Sequence, residues 1–336
     1  MVPTGDGHAP RQKVAQSGQS PANGRMQHSS REAQRRHGLW GSRVIWGGAM
    51  LLAACGARSG LPWGESQPLG AAGTPSVPRD LAATCPDQPN GIYLLAWLTQ
   101  EIHRFDPTTL STEPLGSVSC GENLASMEIA RNGDAYASSA VSGRLYHINI
   151  PSLTCEETPF DPTQLWGITF GLAFVFDDSP AGETLYVADR STYGTAVWLS
   201  VLDLSTYELR QVGLFDPDNA ASEITGTGDG RLYGLTNISG PNPQLRLLEV
   251  DPSTAEATPI VSLPPQGPVG PHDFTYFEGD FYFFIRELTL TPTLSDEPMG
   301  SVTTVFRYRL GNGAPESIGT IEISVLGAAV SSCAPS

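Results

Sequence analysis

A glycine followed by a short apolar run containing tyrosine recurs five times in this chain. The copies are Gly91-Ile92-Tyr93, Gly133-Asp134-Ala135-Tyr136, Gly182-Glu183-Thr184-Leu185-Tyr186, Gly230-Arg231-Leu232-Tyr233 and Gly279-Asp280-Phe281-Tyr282. Their tyrosines lie 43, 50, 47 and 49 residues apart. Self-similarity at a nearly fixed period means that one supersecondary unit is repeated, each copy burying its faces against its neighbours. That constraint outweighs any single motif.

Each repeat reads as four strands, named a to d from the inside outward. The tyrosine run is strand b. A c strand follows about ten to fifteen residues later, at 102–105, 145–150, 198–204 and 245–250, and after a longer gap at 302–310. Several c strands end in Asp-Pro turns, as in Asp106-Pro107-Thr108 and Asp251-Pro252-Ser253, which suit a type I turn. Short outer runs such as 257–261 and 317–323 supply d, and apolar runs at 124–130, 171–176, 222–225 and 274–277 supply a. Helical periodicity is nearly absent. Four antiparallel strands at a period of 40–50 residues predict an all-β, five-bladed β-propeller, or six blades if 286–301 holds a further strand pair. The pattern resembles bacterial repeat propellers of the YVTN, NHL and quinoprotein-like kind over roughly residues 85–333. No Trp-Asp, kelch or YVTN signature accompanies it, so the resemblance implies a fold and carries no activity.

The first repeat has no a strand before Gly91, and the chain ends in Val325-Leu326-Gly327-Ala328-Ala329-Val330 with no b strand after it. Placing that run inside the first blade closes the ring and removes two open sheet edges. It also brings Cys333 and Cys85 to one a–b turn, where a disulfide would staple the circle; Cys120 and Cys155 then pair by elimination. Four cysteines allow three connectivities.

Upstream, Arg31, Arg35, Arg36 and Arg43 precede an apolar stretch from Val44 to Leu52 that ends in Leu52-Ala53-Ala54-Cys55. Basic, apolar, then small is the order of a secretory signal, and the apolar part is too short to span a bilayer as an ordinary helix. Leu-Ala-Ala-Cys resembles the bacterial lipobox, which implies cleavage before Cys55 and acylation of its thiol and new amine. The expected organisation is therefore a signal region at 1–54 (shorter if Met26 is the start), a lipidated Gly/Pro/Ala/Ser-rich tether at 55–84, and a propeller at 85–336. Beyond residue 54 the chain carries 12 basic against 33 acidic residues, a net charge of −21. So acidic a surface repels phosphate backbones, which excludes nucleic-acid binding, and leaves the acyl chains at Cys55 to hold the lipid bilayer. The expected location is the cell envelope, at either the inner or the outer membrane.

Chemistry is less legible. In a propeller the b–c and d–a loops share one face. Four residues past the b-strand tyrosines stand Trp97, Ala140, Arg190, Asn237 and Arg286, and the a strands begin near the same face with Glu223 and His272-Asp273. Trp97, Arg190, Glu223, Asn237, His272, Asp273 and Arg286 thus form the candidate ligand face, with unequal loops around it, the longest at 287–301. Arginine and asparagine there suit a carboxylate or a sugar. Glu128, Glu223 and Asp273 on inner strands are the carboxylates that a glycosidase would use as acid and base or nucleophile. No GxSxG elbow, phosphate loop, HExxH or EF-hand spacing occurs. Asp177-Asp178 and Asp216-Pro217-Asp218-Asn219 are oxygen-rich but read as solvated turns. No cofactor is expected. The leading expectation is a membrane-tethered binding module for an envelope protein or saccharide; the rival is an envelope glycan hydrolase.

Overall fold

A computed structural model describes residues 91–179, 181–192, 196–238, 244–264, 269–287 and 302–334. The signal region, Cys55, the tether, Cys85 and the loop at 288–301 lie outside the described residues.

Strands are named in chain order. The first blade holds β1 (Ile92–Ala96), β2 (Glu101–Asp106) and β3 (Ser111–Ser117); the second holds β4 (Leu124–Ile129), β5 (Asp134–Ser139), β6 (Leu145–Asn149) and β7 (Thr154–Glu157). The third has β8 (Phe170–Phe176), β9 (Glu183–Arg190), β10 (Val197–Asp203) and β11 (Glu208–Leu214); the fourth has β12 (Glu223–Gly226), β13 (Leu232–Ile238), β14 (Gln244–Val250) and β15 (Ala257–Ser262). The fifth has β16 (Val269–Phe277), β17 (Asp280–Glu287), β18 (Thr303–Arg309) and β19 (Glu316–Ile321), and the last strand is β20 (Val325–Ala329). Each blade is a four-stranded antiparallel sheet, and β20 completes the first in the order β20-β1-β2-β3. Its register pairs Tyr93 with Ala329 and Leu94 with Ala328. The innermost strands touch in a closed cycle, β20 to β4 to β8 to β12 to β16 and back to β20. The fold is a five-bladed β-propeller, latched by its C-terminal strand as the unpartnered apolar run requires.

The period-two geometry of a strand explains the packing. Side chains alternate between the two neighbouring blades, so Ile92 and Leu94 join the cluster shared with the fifth blade, while Tyr93 and Leu95 join that shared with the second. Both faces of a blade are covered, which is why β1 is buried at every position. Five apolar clusters result, one per interface between blades. That between the fourth and fifth is aromatic, with Phe274, Phe281 and Phe283 stacked at centroid distances of 5.9–6.4 Å.

Turn chemistry fixes the register. Gly133, Gly182, Gly230 and Gly279 take φ of 87°, 76°, 88° and 86° in the a–b turns, a region closed to most L-residues. The c–d turns repeat a second device. Oδ1 of Asp106, Asn149, Asp203 and Asp251 accepts the amide of Thr108, Ser152, Ser205 and Ser253 at 2.7–3.2 Å. Four residues past each of these, Leu110, Leu153, Tyr207 and Ala255 adopt positive φ. Cys120 and Cys155 are disulfide-bonded with Cα atoms 5.2 Å apart, tying the loop after β3 to β7. Cys333 is also in a disulfide.

Candidate functional site

The two faces differ in chemistry. The turn face carries the Asx turns above, and the C-terminal residues cross it. There Ser331 Oγ donates to the Ala130 carbonyl at 3.3 Å and Ser332 Oγ to Glu183 Oε2 at 2.7 Å, while Gly228 packs against the Ser332 carbonyl. The b–c and d–a loops form the opposite, loop face. Of the seven exposed large apolar side chains among the described residues, six lie on it: Leu98, Val141, Trp166, Ile168, Leu214 and Val302. Only Leu115 lies elsewhere, on an outer strand.

Trp166 is 56 % exposed, yet it is held on every side. Buried Asp189, on β9, accepts the Trp166 amide at 2.6 Å through Oδ2 and the Gly167 amide at 3.1 Å through Oδ1. The indole stacks on Trp198 at 6.1 Å. A Cβ on Gly167 would meet the Arg190 carbonyl oxygen at 1.9 Å, so only glycine permits this approach. An aromatic fixed by its surroundings and still open to solvent is a preorganised anchor.

At the axis, the loop face opens into a cavity of about 290 Å³ whose walls include Trp97, Phe170, Arg190, Glu223, His272 and Leu326. A neighbouring cleft of about 340 Å³ is lined by Arg190, Asp218, Thr236 and Asn237. Four of the seven expected ligand-face residues therefore meet at the mouth, Trp97, Arg190, Glu223 and His272, and Arg190 also reaches the cleft that holds Asn237. The other two lie deeper. Asp273 is sunk in the channel wall, its carboxyl oxygens accepting the Phe274 amide at 2.7 Å and the Ala328 amide of β20 at 2.8 Å. Arg286 is buried behind Trp97, with its guanidinium 4.7 Å from the ring and one N–H donated to Ser324 Oγ at 2.7 Å. It clamps the junction between the fifth and first blades, and among the described residues no acid pairs with it.

The electrostatics follow from burial. Removal from water pushes Glu223 well above the usual carboxylate range, the Asp273 charge adds to this, and Arg190 opposes it. Burial raises Asp273 to about 8 against the pull of its two amides. Glu128 is raised well above its ordinary value by burial and then by Asp273, although Thr225 Oγ1 donates to it at 3.2 Å. Burial thus shifts all three acids toward their protonated, uncharged forms. His272 is shifted down, chiefly by burial, and is neutral there. Its Nδ1 lies 3.0 Å from the Gly270 carbonyl. A carbonyl only accepts, so Nδ1 carries the hydrogen and Nε2 a lone pair. Nε2 is buried and has no hydrogen-bond partner among the described residues.

Of the three inner-strand carboxylates, only Glu223 lines the mouth; Glu128 and Asp273 are engaged inside the wall. Asp177 accepts Ser179 N at 2.9 Å, and Asp216 caps a 3-10 turn at Pro217–Asn219. No cluster of three metal-binding side chains occurs among the described residues. Sequence reasoning missed Phe170 and Leu326, which wall the mouth, and the Asp189–Trp166 clamp. For the clamp, the signal was an aspartate next to the end of a b strand with a Trp-Gly pair in the preceding d–a loop.

The class of protein that this architecture defines is a five-bladed β-propeller whose C-terminal strand closes the ring. No family model matches the sequence, and no curated protein does. Among solved structures, TolB from Acinetobacter baumannii is similar at 15% identity over 73% of this chain and 56% of that chain, TM-score 0.41. This chain thus spans little more than half of that protein. The nidogen/laminin complex is similar at 12% identity over 71% of this chain and 98% of that one, TM-score 0.44. An exo-β-1,3-galactanase from Phanerochaete chrysosporium is similar at 10% identity over 69% and 54%, TM-score 0.42. These likenesses are too distant to carry any activity across.

Proposed function

We propose that this chain is an extracytoplasmic lipoprotein, anchored in the cell envelope through acylated Cys55, whose propeller binds an envelope protein or saccharide on its loop face. The supporting observation is the gathering of six exposed apolar side chains on the face that also holds the open mouth, with Trp166 immobilised among them. Monomeric proteins rarely concentrate exposed apolar groups on one side, and such concentration marks an interaction surface. The opposite face carries acidic Asx turns and offers little to desolvate.

Site-specific photocrosslinking in cells tests the docking face. A benzophenone side chain at Ile168 or Val141 is expected to give discrete adducts, and one at Ser205 on the turn face none. Adducts equally abundant from both faces would reject the reading. For the anchor, metabolic palmitate labelling should be lost in Cys55→Ser, and labelling that survives the substitution would reject it.

A further inference from the structure

The orphaned nitrogen of His272 says what the mouth accepts. A buried acceptor without a partner is costly and rare in native proteins, and His272, which carries this one, is among the residues that wall the cavity. Because Nδ1–H is committed to the Gly270 carbonyl, the occupant must bring an O–H or N–H donor. Arg190 offers donors only, whereas the Glu223 carboxyl can donate and accept. Trp97, Phe170 and Leu326 supply apolar wall. About 290 Å³ lies at the small end of ligand sites, room for one ring and not for an extended chain. Charge narrows the choice further. A cation would face Arg190, and an anion would enter a desolvated channel beside the Glu223 carboxyl and the histidine lone pair. A ring whose hydroxyls both donate and accept, with C–H groups toward the aromatics, meets every requirement.

We propose that the mouth cavity binds one neutral sugar ring, which donates a hydroxyl hydrogen to His272 Nε2, exchanges hydrogen bonds with Glu223 and Arg190, and packs on Trp97 and Phe170. This site deepens the binding-module reading and rests on it: the module's ligand ends in, or carries, an uncharged sugar, and the apolar rim holds what lies beyond that ring.

The test titrates the full chain with D-glucose, D-galactose, D-mannose and N-acetyl-D-glucosamine, and with D-glucuronate and D-glucosamine as charged counterparts. Binding is read by calorimetry and by the imidazole nitrogen resonances of 15N-histidine-labelled protein. At least one neutral sugar should bind saturably with a millimolar Kd, at least tenfold tighter than either charged ring, and should shift the Nε2 resonance of His272. His272→Phe, which keeps the ring and removes the acceptor, should weaken that sugar at least tenfold, while Glu113→Ala on an outer strand should leave it unchanged. The proposal is overturned if none of the four saturates up to about 100 mM, if a charged ring binds better, or if the bound sugar leaves Nε2 unmoved. Should His272→Phe fail to fold, the Nε2 resonance of the unaltered protein decides. Crosslinks at Ile168 without sugar binding would sink this site and spare the module. A sugar bound at the mouth without loop-face crosslinks would do the reverse.

Discussion

Raising the pH from about 5 to about 8 should destabilise this protein, because the folded state holds protons on its channel carboxylates that the unfolded chain releases. Asp273 moves from 3.8 to about 8 on folding. A group whose folded pKa is raised contributes stability that is complete below its unfolded value and lost as pH climbs through the folded one. Each retained proton gives a slope of about −1.4 kcal/mol per pH unit, so Asp273 alone accounts for roughly 6 kcal/mol across its window. Glu128 and Glu223 act in the same direction. Asp106, Asp203 and Asp251 work oppositely: hydrogen bonds from their own turns lower them, so their contribution is present above the usual carboxylate range and fades in acid. Stability should therefore peak near the unfolded carboxylate range, about pH 4, and fall on both sides. Urea midpoints measured at half-unit steps, with the m-value checked for constancy, give the curve. Glu223→Gln removes one of the groups that retain a proton on folding, so it should flatten the alkaline limb and raise stability at about pH 8. A midpoint that is flat or rises between about pH 5 and 8, or a Gln variant as steep as the parent, would refute the reasoning.

Three further outcomes are expected. Gly167→Ala places a methyl against the Arg190 carbonyl, and should cost at least about 2 kcal/mol in urea unfolding while altering the fluorescence of the Trp166–Trp198 pair. Glu278 sits at φ 52° beside Gly279 in a two-residue a–b turn, so Glu278→Asn should add about 0.5–1 kcal/mol, seen as a Tm rise of roughly 1–2 °C. Replacing both Cys120 and Cys155 by serine frees a 35-residue separation and should remove about 3–4 kcal/mol by the chain-entropy relation, measured against the oxidised parent.

The propeller was legible because its determinants are local and repeated. Glycine at each a–b turn, an Asx residue closing the c strand of four blades and a tyrosine on each b strand are spelled out copy by copy. Ring closure was legible for a related reason, since an apolar run without a partner, such as 325–330, must find one. The site was only half legible. Alternation brings Trp97, Arg190, Glu223 and His272 to the loop face, but it does not encode depth along the axis. Asp273, one residue from His272, therefore ends inside the wall while its neighbour lines the cavity. Nor does a linear reading pair groups across the latch. Arg286 meets Trp97 only because the fifth blade abuts the first, a contact spanning most of the folded chain. The Trp166 clamp joins a loop of one blade to a strand of the next through a single glycine, with no periodic trace.

The latch also sets an order in time. The blade begun first is the last to be finished, because β1 waits for residues 325–329, which leave the ribosome after every other strand. Until then a nascent chain can assemble three or four blades as an open arc, but it cannot lock. Deleting residues 325–329 would thus strike the clasp of the whole necklace, whereas an equal change in an outer strand loosens one bead.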